Sequence, residues 1–269
     1  MSRGGLRDLW PDRAPLVGMV HLLPLPGSPD WGGAMEAVIE RAVTEARILT
    51  DEGYDGLIVE NYSDVPFFAR HVQAETIAAM SVVVARVMAE VSIPVGVNVL
   101  RNDAHAALGV ATATGARFIR INVHTGSMWT DQGLIEGRAA HTLRTRSGLG
   151  VDVKILADVH VKHASPPPGS TIADAAADAW HRGRADALIV SGSGTGSATD
   201  PSEVSTIRGA VAEAPVLIGS GASPETVRTL LDGADGVIVG SAIMADGLAG
   251  RGVDPVRART FIQAARGRR

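Results

Sequence analysis

The sequence lacks cysteine, long apolar runs and a high aromatic content. Cysteine is absent from all 269 positions, which excludes disulfides, cysteine nucleophiles and thiolate metal sites. No apolar stretch approaches the ~20 residues that a membrane-spanning helix requires. Aromatic residues make up only 4% of the chain, whereas 31 glycines and a 45% hydrophobic share indicate a compact fold rich in Val, Ile, Leu and Ala. We therefore expect a globular protein without integral membrane association.

An excess of charge of one sign is also missing. The 25 basic and 29 acidic residues give a net charge of −4 and are spread along the chain, so no basic patch for nucleic acid is present. The first residues contain no apolar core of signal-peptide length, and a cytoplasmic location is expected. Because no linker interrupts the chain, residues 1–269 are expected to form one domain, with 1–14 and 266–269 as frayed termini.

Short runs rich in β-branched residues alternate with helical patterns eight times. The predicted strands are residues 16–22, 55–61, 95–100, 118–124, 154–161, 187–192, 216–221 and 236–243. The predicted helices are residues 35–52, 75–91, 103–115, 134–147, 171–182, 201–213, 224–231 and 255–265. Eight such units in about 250 residues predict an α/β fold, a single (β/α)8 TIM barrel with parallel strands. The rival is a doubly wound open sheet, which the missing glycine fingerprint after the first strand disfavours.

Strand parity predicts a polar lumen near the carboxyl ends of the strands. Alternate side chains of a barrel strand face the lumen and the helices. If the apolar residues face the helices, the residues that face the lumen are Glu60, Asn98, Arg120, Asn122, His124, Asp158, His160 and Lys162. Burying unpaired charges is unfavourable, so this set is a poor core and indicates a functional site. The structural alternative is an ion-pair network of Glu60, Arg120, Asp158 and Lys162.

Glycine-rich turns follow the last three predicted strands. Gly219, Ser220 and Gly221 follow the seventh strand, and Gly240 and Ser241 lie near the end of the eighth. Glycine lets backbone N–H groups approach an anion closely, and barrels commonly bind phosphate at this position. Simple tight turns are the alternative interpretation. The stretch 191–196 after the sixth strand is predicted to be a loop that closes over a ligand or a flexible surface turn.

Five longer motifs occur in order along the chain. They are residues 18–29, 59–67, 96–103, 130–135 and 157–164. In this combination the sequence resembles the BtpA/SgcQ family over nearly its whole length. The resemblance implies a barrel of the ribulose-phosphate-binding type. It also implies two functional settings, because one branch of the family is linked to photosystem I biogenesis at thylakoids and another to sugar-utilisation gene clusters. It provides no defined set of catalytic residues.

We predict an enzyme that acts on a phosphorylated sugar or a nucleotide-like molecule, with lyase, isomerase or glycosidic-bond chemistry. Asp158 and Lys162 are the central candidates, because a base and a cation on one strand face can abstract a proton and stabilise the resulting oxyanion. The predicted catalytic residues are Asp158, Lys162, His160, Glu60 and Arg120. The predicted substrate-binding residues are His21, Asn61, Asn98, Arg101, Asn122, His124, Ser191 and Thr195.

Two other functions stay open at this point. One is a non-enzymatic assembly factor of the kind linked to photosystem I, which would expose an apolar patch. The other is a metal-dependent hydrolase with ligands from His160, Asp158 and either His21 or His124, although no compact metal motif supports it. No cofactor is firmly implied and the need for a divalent metal ion is open. The expected partners are a phosphorylated small molecule and further copies of this chain.

Overall fold

The computed structural model describes residues 5–192 and 199–267. Its strands are β1 (Leu16–His21), β2 (Gly56–Glu60), β3 (Val95–Asn98), β4 (Phe118–Ile121), β5 (Ser127–Thr130), β6 (Gly133–Glu136), β7 (Lys154–Val159), β8 (Ala164–Ser165), β9 (Ala187–Val190), β10 (Val216–Ile218) and β11 (Gly236–Val239). Its helices are α1 (Met35–Asp51), α2 (Ala74–Glu90), α3 (Ala104–Thr114), α4 (Ala139–Leu149), α5 (Ile172–Ala177, continued by a π-helical turn over Asp178–Arg182), α6 (Pro201–Ala210), α7 (Val227–Gly233) and α8 (Pro255–Arg266).

Eight of the strands form a closed parallel barrel. The order around the barrel is β1-β2-β3-β4-β7-β9-β10-β11, and β11 pairs with β1 to close it. The predicted (β/α)8 barrel is therefore confirmed. Each barrel strand begins within a residue of its predicted start and ends one to four residues earlier than predicted. The polar and glycine-rich residues that follow the strands consequently lie in loops at the carboxyl face.

A β-hairpin after β4 differs from the sequence prediction. The stretch predicted to start a helix at residue 134 instead forms β6, which pairs antiparallel with β5. Gly133 has φ of 92°, a conformation that favours glycine and supports the turn between these strands. The short strand β8 adds to the other edge of β5. The helix itself begins five residues later than predicted, at Ala139.

The lumen is apolar at its amino end and polar at its carboxyl end. The apolar cluster consists of Leu6, Leu9, Trp10, Val17, Met19, Ile58, Phe118, Leu156, Ala187, Ile189, Leu217, Ile238 and Met244. Gly96 makes room for this cluster, because a Cβ there would clash with the ring of Phe118. The functional candidates lie above this layer, so the apolar packing supports the polar end of the barrel from below.

The amino-terminal segment closes the bottom of the barrel, and residues 5–10 are called the plug below. Residues 5–8 form a short 3-10 helix, and Leu6, Leu9 and Trp10 are buried against the lumen. The ring of Trp10 meets that of Phe118 edge-on, with centroids 5.4 Å apart. The expectation of a frayed segment over residues 1–14 is therefore wrong for residues 5–10. The reason is that the open end of the barrel presents an apolar surface that these side chains cover.

The carboxyl-terminal helix is also held at this end of the barrel. Arg266, at the start of the expected frayed tail, belongs instead to α8 and contacts the carboxylate of Asp55. Asp55 in addition accepts the backbone N–H of Leu16 at 2.7 Å and pairs with Arg13. This one carboxylate thus links both ends of the described chain to β1. In the described residues, no helix is both long and apolar enough to cross a membrane.

We expect the variant Trp10→Phe to be less stable than the parent by about 1–3 kcal/mol. The indole N–H of Trp10 donates to the backbone carbonyl of Asp55 at 2.7 Å, and phenylalanine leaves this buried acceptor without its donor. Urea denaturation measures the loss. The matched control is Trp129→Phe, because Trp129 is 56% exposed and its replacement should change stability by less than about 0.5 kcal/mol. Equal effects of the two changes would contradict a structural role for the plug.

Candidate functional site

A buried ion pair of Arg120 and Asp158 lies in the polar part of the lumen. Arg120 Nε and Nη2 each donate to one carboxylate oxygen of Asp158 at 2.8 Å. Ser191 Oγ donates to the same carboxylate at 3.1 Å. A Cβ on Gly219 would lie 2.6 Å from Ser191 Oγ, so glycine is required for this packing. Asp158 is therefore the counter-ion that fixes Arg120, and its role as the central base stays a prediction.

His21 and Glu60 face each other at the ends of β1 and β2. His21 Nε2 lies 3.6 Å from Glu60 Oε1. The other ring nitrogen, Nδ1, accepts the backbone N–H of Gly250 at 3.1 Å, so the imidazole proton belongs on Nε2. Burial, followed by the charges of Lys162 and Arg120, lowers the pKa of His21 to about 3. His21 is consequently a neutral donor whose N–H faces the carboxylate of Glu60.

Glu60 has the properties of an acid–base group. Burial raises the pKa of its carboxyl, although the positive charges of Arg120, Lys162 and Arg101 act in the opposite direction. Within the part of the chain that the structure describes, no group donates a hydrogen bond to this carboxylate, and it lines two cavities. A buried carboxyl with a raised pKa that lines a cleft is suited to proton transfer.

Lys162 follows β7 at a sharp bend of the backbone. The residues two before and one after it, His160 and His163, have φ of 50° and 56°, which L-residues rarely adopt. Arg101 Nη2 donates to the backbone carbonyl of Lys162 at 2.8 Å and holds this bend. Burial lowers the pKa of Lys162, and the charge of Arg120 lowers it further, against the opposing effect of the nearby carboxylates. Among the described residues Lys162 forms no ion pair.

The loop after β11 contributes Gly250, which the sequence patterns do not indicate. Arg41 of α1 donates to the carbonyl of Gly250 at 2.6 Å and to Glu45 at 2.8 Å, which fixes the loop. Tyr62 stacks on the ring of His21 with centroids 4.1 Å apart and planes 7° apart. A Cβ on Gly250 would lie 3.3 Å from the Tyr62 ring. Of the residues that support His21, only Tyr62 lies in one of the five motifs, the second (residues 59–67).

The two glycine-rich turns lie side by side at the ends of β10 and β11. Residues 219–222 and 240–242 line a narrow cavity together with Glu60, Arg120 and Lys162. Ser220 Oγ accepts the N–H of Gly192 at 3.0 Å, so this side chain also anchors the next loop. A Cβ on Gly240 would lie 3.7 Å from His21 Cε1, so a larger side chain there points at the polar cluster.

A second, larger cavity opens from the same three side chains to the mouth of the barrel. It has a volume of about 740 Å³ and shares Glu60, Arg120 and Lys162 with the narrow cavity. Its wall is formed by Pro24, Tyr62, Val65, Phe67 and Leu100 on the apolar side and by Arg101, Asn122, Asp131 and Gln132 on the polar side. A ligand with one end under the glycine turns would therefore extend past Glu60 and Lys162 towards solvent.

Three predicted site residues have structural partners outside the cavities. The amide of Asn61 accepts from the backbone N–H of Leu100 at 2.7 Å and donates to Asp64 at 3.1 Å, which joins the loops after β2 and β3. His124 Nε2 lies 2.8 Å from the carbonyl of Gly183 on the helical side. Neither residue lines the two cavities, and the assignment of both to substrate binding stays a prediction.

His160, the third of these residues, is predicted by strand parity to be catalytic. Its Nε2 lies 3.2 Å from the hydroxyl of Ser170 in the following loop. Strands β4 and β7 end at Ile121 and Val159, so the inside–outside alternation no longer holds at His124 or His160. Loss of the extended backbone explains why parity misplaced both histidines.

The remaining predicted residues fall into two groups. Asn98 donates to Asn122 Oδ1 at 3.1 Å and to the carbonyl of Arg120 at 3.2 Å, so it supports the lumen rather than the larger cavity. Arg101 and Asn122 line that cavity. Thr195 lies outside the described residues. The potential metal ligands Asp158, His160 and His124 are not brought together, and the described residues include no metal-ligating group of three.

Comparisons with known proteins agree with the motifs. Residues 12–267 match the model of the BtpA family. The photosystem I biogenesis protein BtpA of Synechocystis is 48% identical over 250 residues, which cover 93% of this chain and 87% of that protein. The putative sgc region protein SgcQ of Escherichia coli is 30% identical and covers 96% of both chains. The structure of phosphoribosyl anthranilate isomerase from Thermus thermophilus has a TM-score of 0.57 at 11% identity, covers 95% of this chain and 100% of that chain, and is similar in fold alone. The chain belongs to the BtpA family.

Proposed function

We propose that the protein is an enzyme that acts on a phosphorylated sugar or nucleotide-like small molecule by general acid–base catalysis. One observation carries the proposal: an uncommitted, buried carboxyl, Glu60, lies where the narrow cavity under the glycine turns joins the larger cavity. Glu60 acts as the acid–base group. Lys162 and Arg120 line both cavities, and the guanidinium of Arg120 provides positive charge for an anionic substrate and a developing oxyanion.

The phosphate is proposed to bind in the narrow cavity. Residues 219–222 and 240–242 line this cavity together with the side chains of Arg120 and Lys162, which is the combination of glycine turns and a cation that suits an anion. The rest of the substrate occupies the larger cavity, where Arg101 and Asn122 offer hydrogen bonds and Tyr62 and Phe67 offer apolar contact. Asp158 acts in this scheme as a positioning residue, because it holds Arg120 in place.

We expect Gly240→Val to abolish the binding of phosphorylated ligands. A Cβ at this position would lie 3.5 Å from Met19 Cγ and 3.7 Å from His21 Cε1, so the branched side chain of valine projects into the polar end of the lumen. The measurement is a thermal-shift screen of sugar phosphates and nucleotides, with and without magnesium, zinc or manganese. A ligand at a hundred times its dissociation constant should stabilise the parent by about 2.7 kcal/mol, and the variant should show no such gain.

The screen includes two controls. Gly109→Ala is the matched variant, because Gly109 lies on α3 with open space where a Cβ would be added, and ligand stabilisation should be unchanged. The dephosphorylated form of each ligand should stabilise none of the three proteins. Equal stabilisation of the parent and Gly240→Val by one phosphorylated compound would show that the turns do not bind phosphate.

A role in assembly is the second candidate, favoured by the name of the Synechocystis relative and by one surface feature. Trp129 and Leu134 face each other across the β5–β6 hairpin and are 56% and 39% exposed. Exposed apolar pairs of this kind are common in protein contacts. The same screen separates the two functions, because an assembly factor has no reason to gain stability from a phosphorylated ligand.

A further inference from the structure

The chain contains two lysines, Lys154 and Lys162, and they have opposite surroundings. Lys154 Nζ donates to Asp8 at 2.6 Å and to Asp152 at 2.8 Å near the amino end of the barrel. Partial burial acts against its charge, but these hydrogen bonds prevail and raise the pKa of Lys154. This lysine is therefore a committed cation in a structural ion-pair cluster.

Lys162 has none of these partners. Its side chain lines both cavities beside Glu60 and Arg120. The carboxylate of Asp158, the nearest candidate for a counter-ion on the same strand, already accepts two hydrogen bonds from Arg120 at 2.8 Å. Burial and the cationic neighbour favour the neutral amine of Lys162, which is the nucleophilic form.

The backbone around Lys162 is built to hold this side chain in the cavity. Left-handed residues precede and follow it, at His160 and His163, and Arg101 anchors its carbonyl. Unfavourable backbone conformations of non-glycine residues persist only where the surrounding structure enforces them, and they cluster at active sites. A lysine that served only as a solvated charge would need neither the bend nor the anchor.

We propose that Lys162 forms a Schiff base with the carbonyl carbon of an open-chain aldose or ketose phosphate. The inference rests on the proposed function and narrows its substrate class to phosphorylated compounds with a free aldehyde or ketone. The phosphate lies under the glycine turns and the carbonyl carbon lies at the junction of the two cavities.

The chemistry balances with the groups present. The neutral Nζ adds to the carbonyl carbon, the π electrons move to oxygen, and one proton passes from nitrogen to that oxygen. The carbinolamine hydroxyl takes a proton from the Glu60 carboxyl and leaves as water, while the nitrogen lone pair forms the C=N bond. Amine, carbonyl and one proton thus give an iminium ion and one water. The resulting Glu60 carboxylate then removes a proton from the adjacent carbon to give an enamine.

The test is reductive trapping followed by peptide mass spectrometry. The full-length protein is incubated with ribose 5-phosphate, dihydroxyacetone phosphate or pyridoxal 5′-phosphate and reduced with sodium borohydride. We expect the mass of the reduced adduct on Lys162 at more than tenfold the level on Lys154, which is the internal control. Lys162→Arg should show no adduct, yet glycerol 3-phosphate, which has no carbonyl group, should still raise its melting temperature because the glycine turns and Arg120 are unchanged.

Each other outcome overturns the proposal in a distinguishable way. If phosphorylated carbonyl compounds stabilise the parent but borohydride traps nothing on Lys162, Schiff-base chemistry is excluded and the phosphate site stands. If Lys154 is modified as strongly as Lys162, the trapping is non-specific and the special reactivity of Lys162 is disproved. If no phosphorylated compound stabilises the parent, the proposed function fails and this inference fails with it. If Lys162→Arg does not fold, Lys162→Met replaces it as the variant that should show no adduct. Circular dichroism checks that this second variant is folded.

Discussion

Replacement of Asp158 by asparagine is expected to destabilise the protein by about 3–5 kcal/mol. The guanidinium of Arg120 is 3% exposed and both of its hydrogen bonds to the lumen go to the Asp158 carboxylate. Asparagine has nearly the same shape but no charge, so the variant leaves a buried cation without its counter-ion. Chemical denaturation at constant pH measures the loss. A midpoint equal to that of the parent would show that the pair is not structural.

A double variant provides the control for this result. Arg120→Met combined with Asp158→Leu removes both charges and fills similar volumes with apolar atoms. Replacing a buried ion pair in this way is often neutral or stabilising, whereas removing one partner is not. We therefore expect the double variant to be more stable than Asp158→Asn. Lower stability of the double variant would indicate that packing, not the unpaired charge, causes the loss.

Replacement of Glu60 by glutamine is expected to lower turnover by about 10²–10⁴-fold on the substrate that the ligand screen identifies. The parent should lose activity as pH rises through the pKa of Glu60, which burial places above the ordinary glutamate value, because the proposed reaction begins with the protonated carboxyl. The amide can neither accept nor release the proton, so no such alkaline limb should remain in the variant. Rates measured across pH test both statements.

The pH dependence of the free energy of unfolding provides a second test of the raised pKa of Glu60, and this test needs no substrate. Because the pKa is higher in the folded than in the unfolded state, the folded protein holds its proton more tightly, and this favourable contribution is lost as pH rises through the folded value. Glu60→Gln should therefore match the parent at pH 4 and exceed its stability at pH 8. A variant that is less stable at pH 8 would mean that the ionised carboxylate stabilises the fold. Glu136→Gln, an exposed position on β6, is the matched control and should show no gain at pH 8.

The eightfold alternation of strand and helix patterns predicted the barrel, and strand parity predicted part of its polar lumen because the backbone is extended over those residues. Phe118 and Arg120 share the lumen side of β4, as alternation requires. The same rule failed at His124 and His160, where the strands have already ended. Sequence patterns describe regular backbone well, and they say little about the loops that follow it.

The sequence could not predict which site residues contact each other, because the partners are far apart along the chain. Four ionisable lumen residues were predicted either as a catalytic cluster or as an ion-pair network, and the structure joins two of them in an ion pair. Arg120 and Asp158 form the pair, whereas Glu60 faces the neutral His21 at 3.6 Å and Lys162 has no ion-pair partner among the described residues. Which cation reaches which carboxylate depends on distances of a few ångströms between strands. In the same way the hydrogen bond from Gly250 to His21 joins residues 229 positions apart and leaves no local signal.

The plug at the amino end also determines how the site exchanges protons with solvent. Trp10 and the apolar lumen cluster pack at the amino end of the barrel, and the larger cavity connects Glu60 to the mouth at the other end. A ligand that fills the larger cavity shuts this route. Glu60 and Lys162 then keep the number of protons that they hold when the ligand binds. Later proton transfers take place only between these side chains and the ligand. Heats of ligand binding measured in buffers of different ionisation enthalpy would give the number of protons taken up or released on binding.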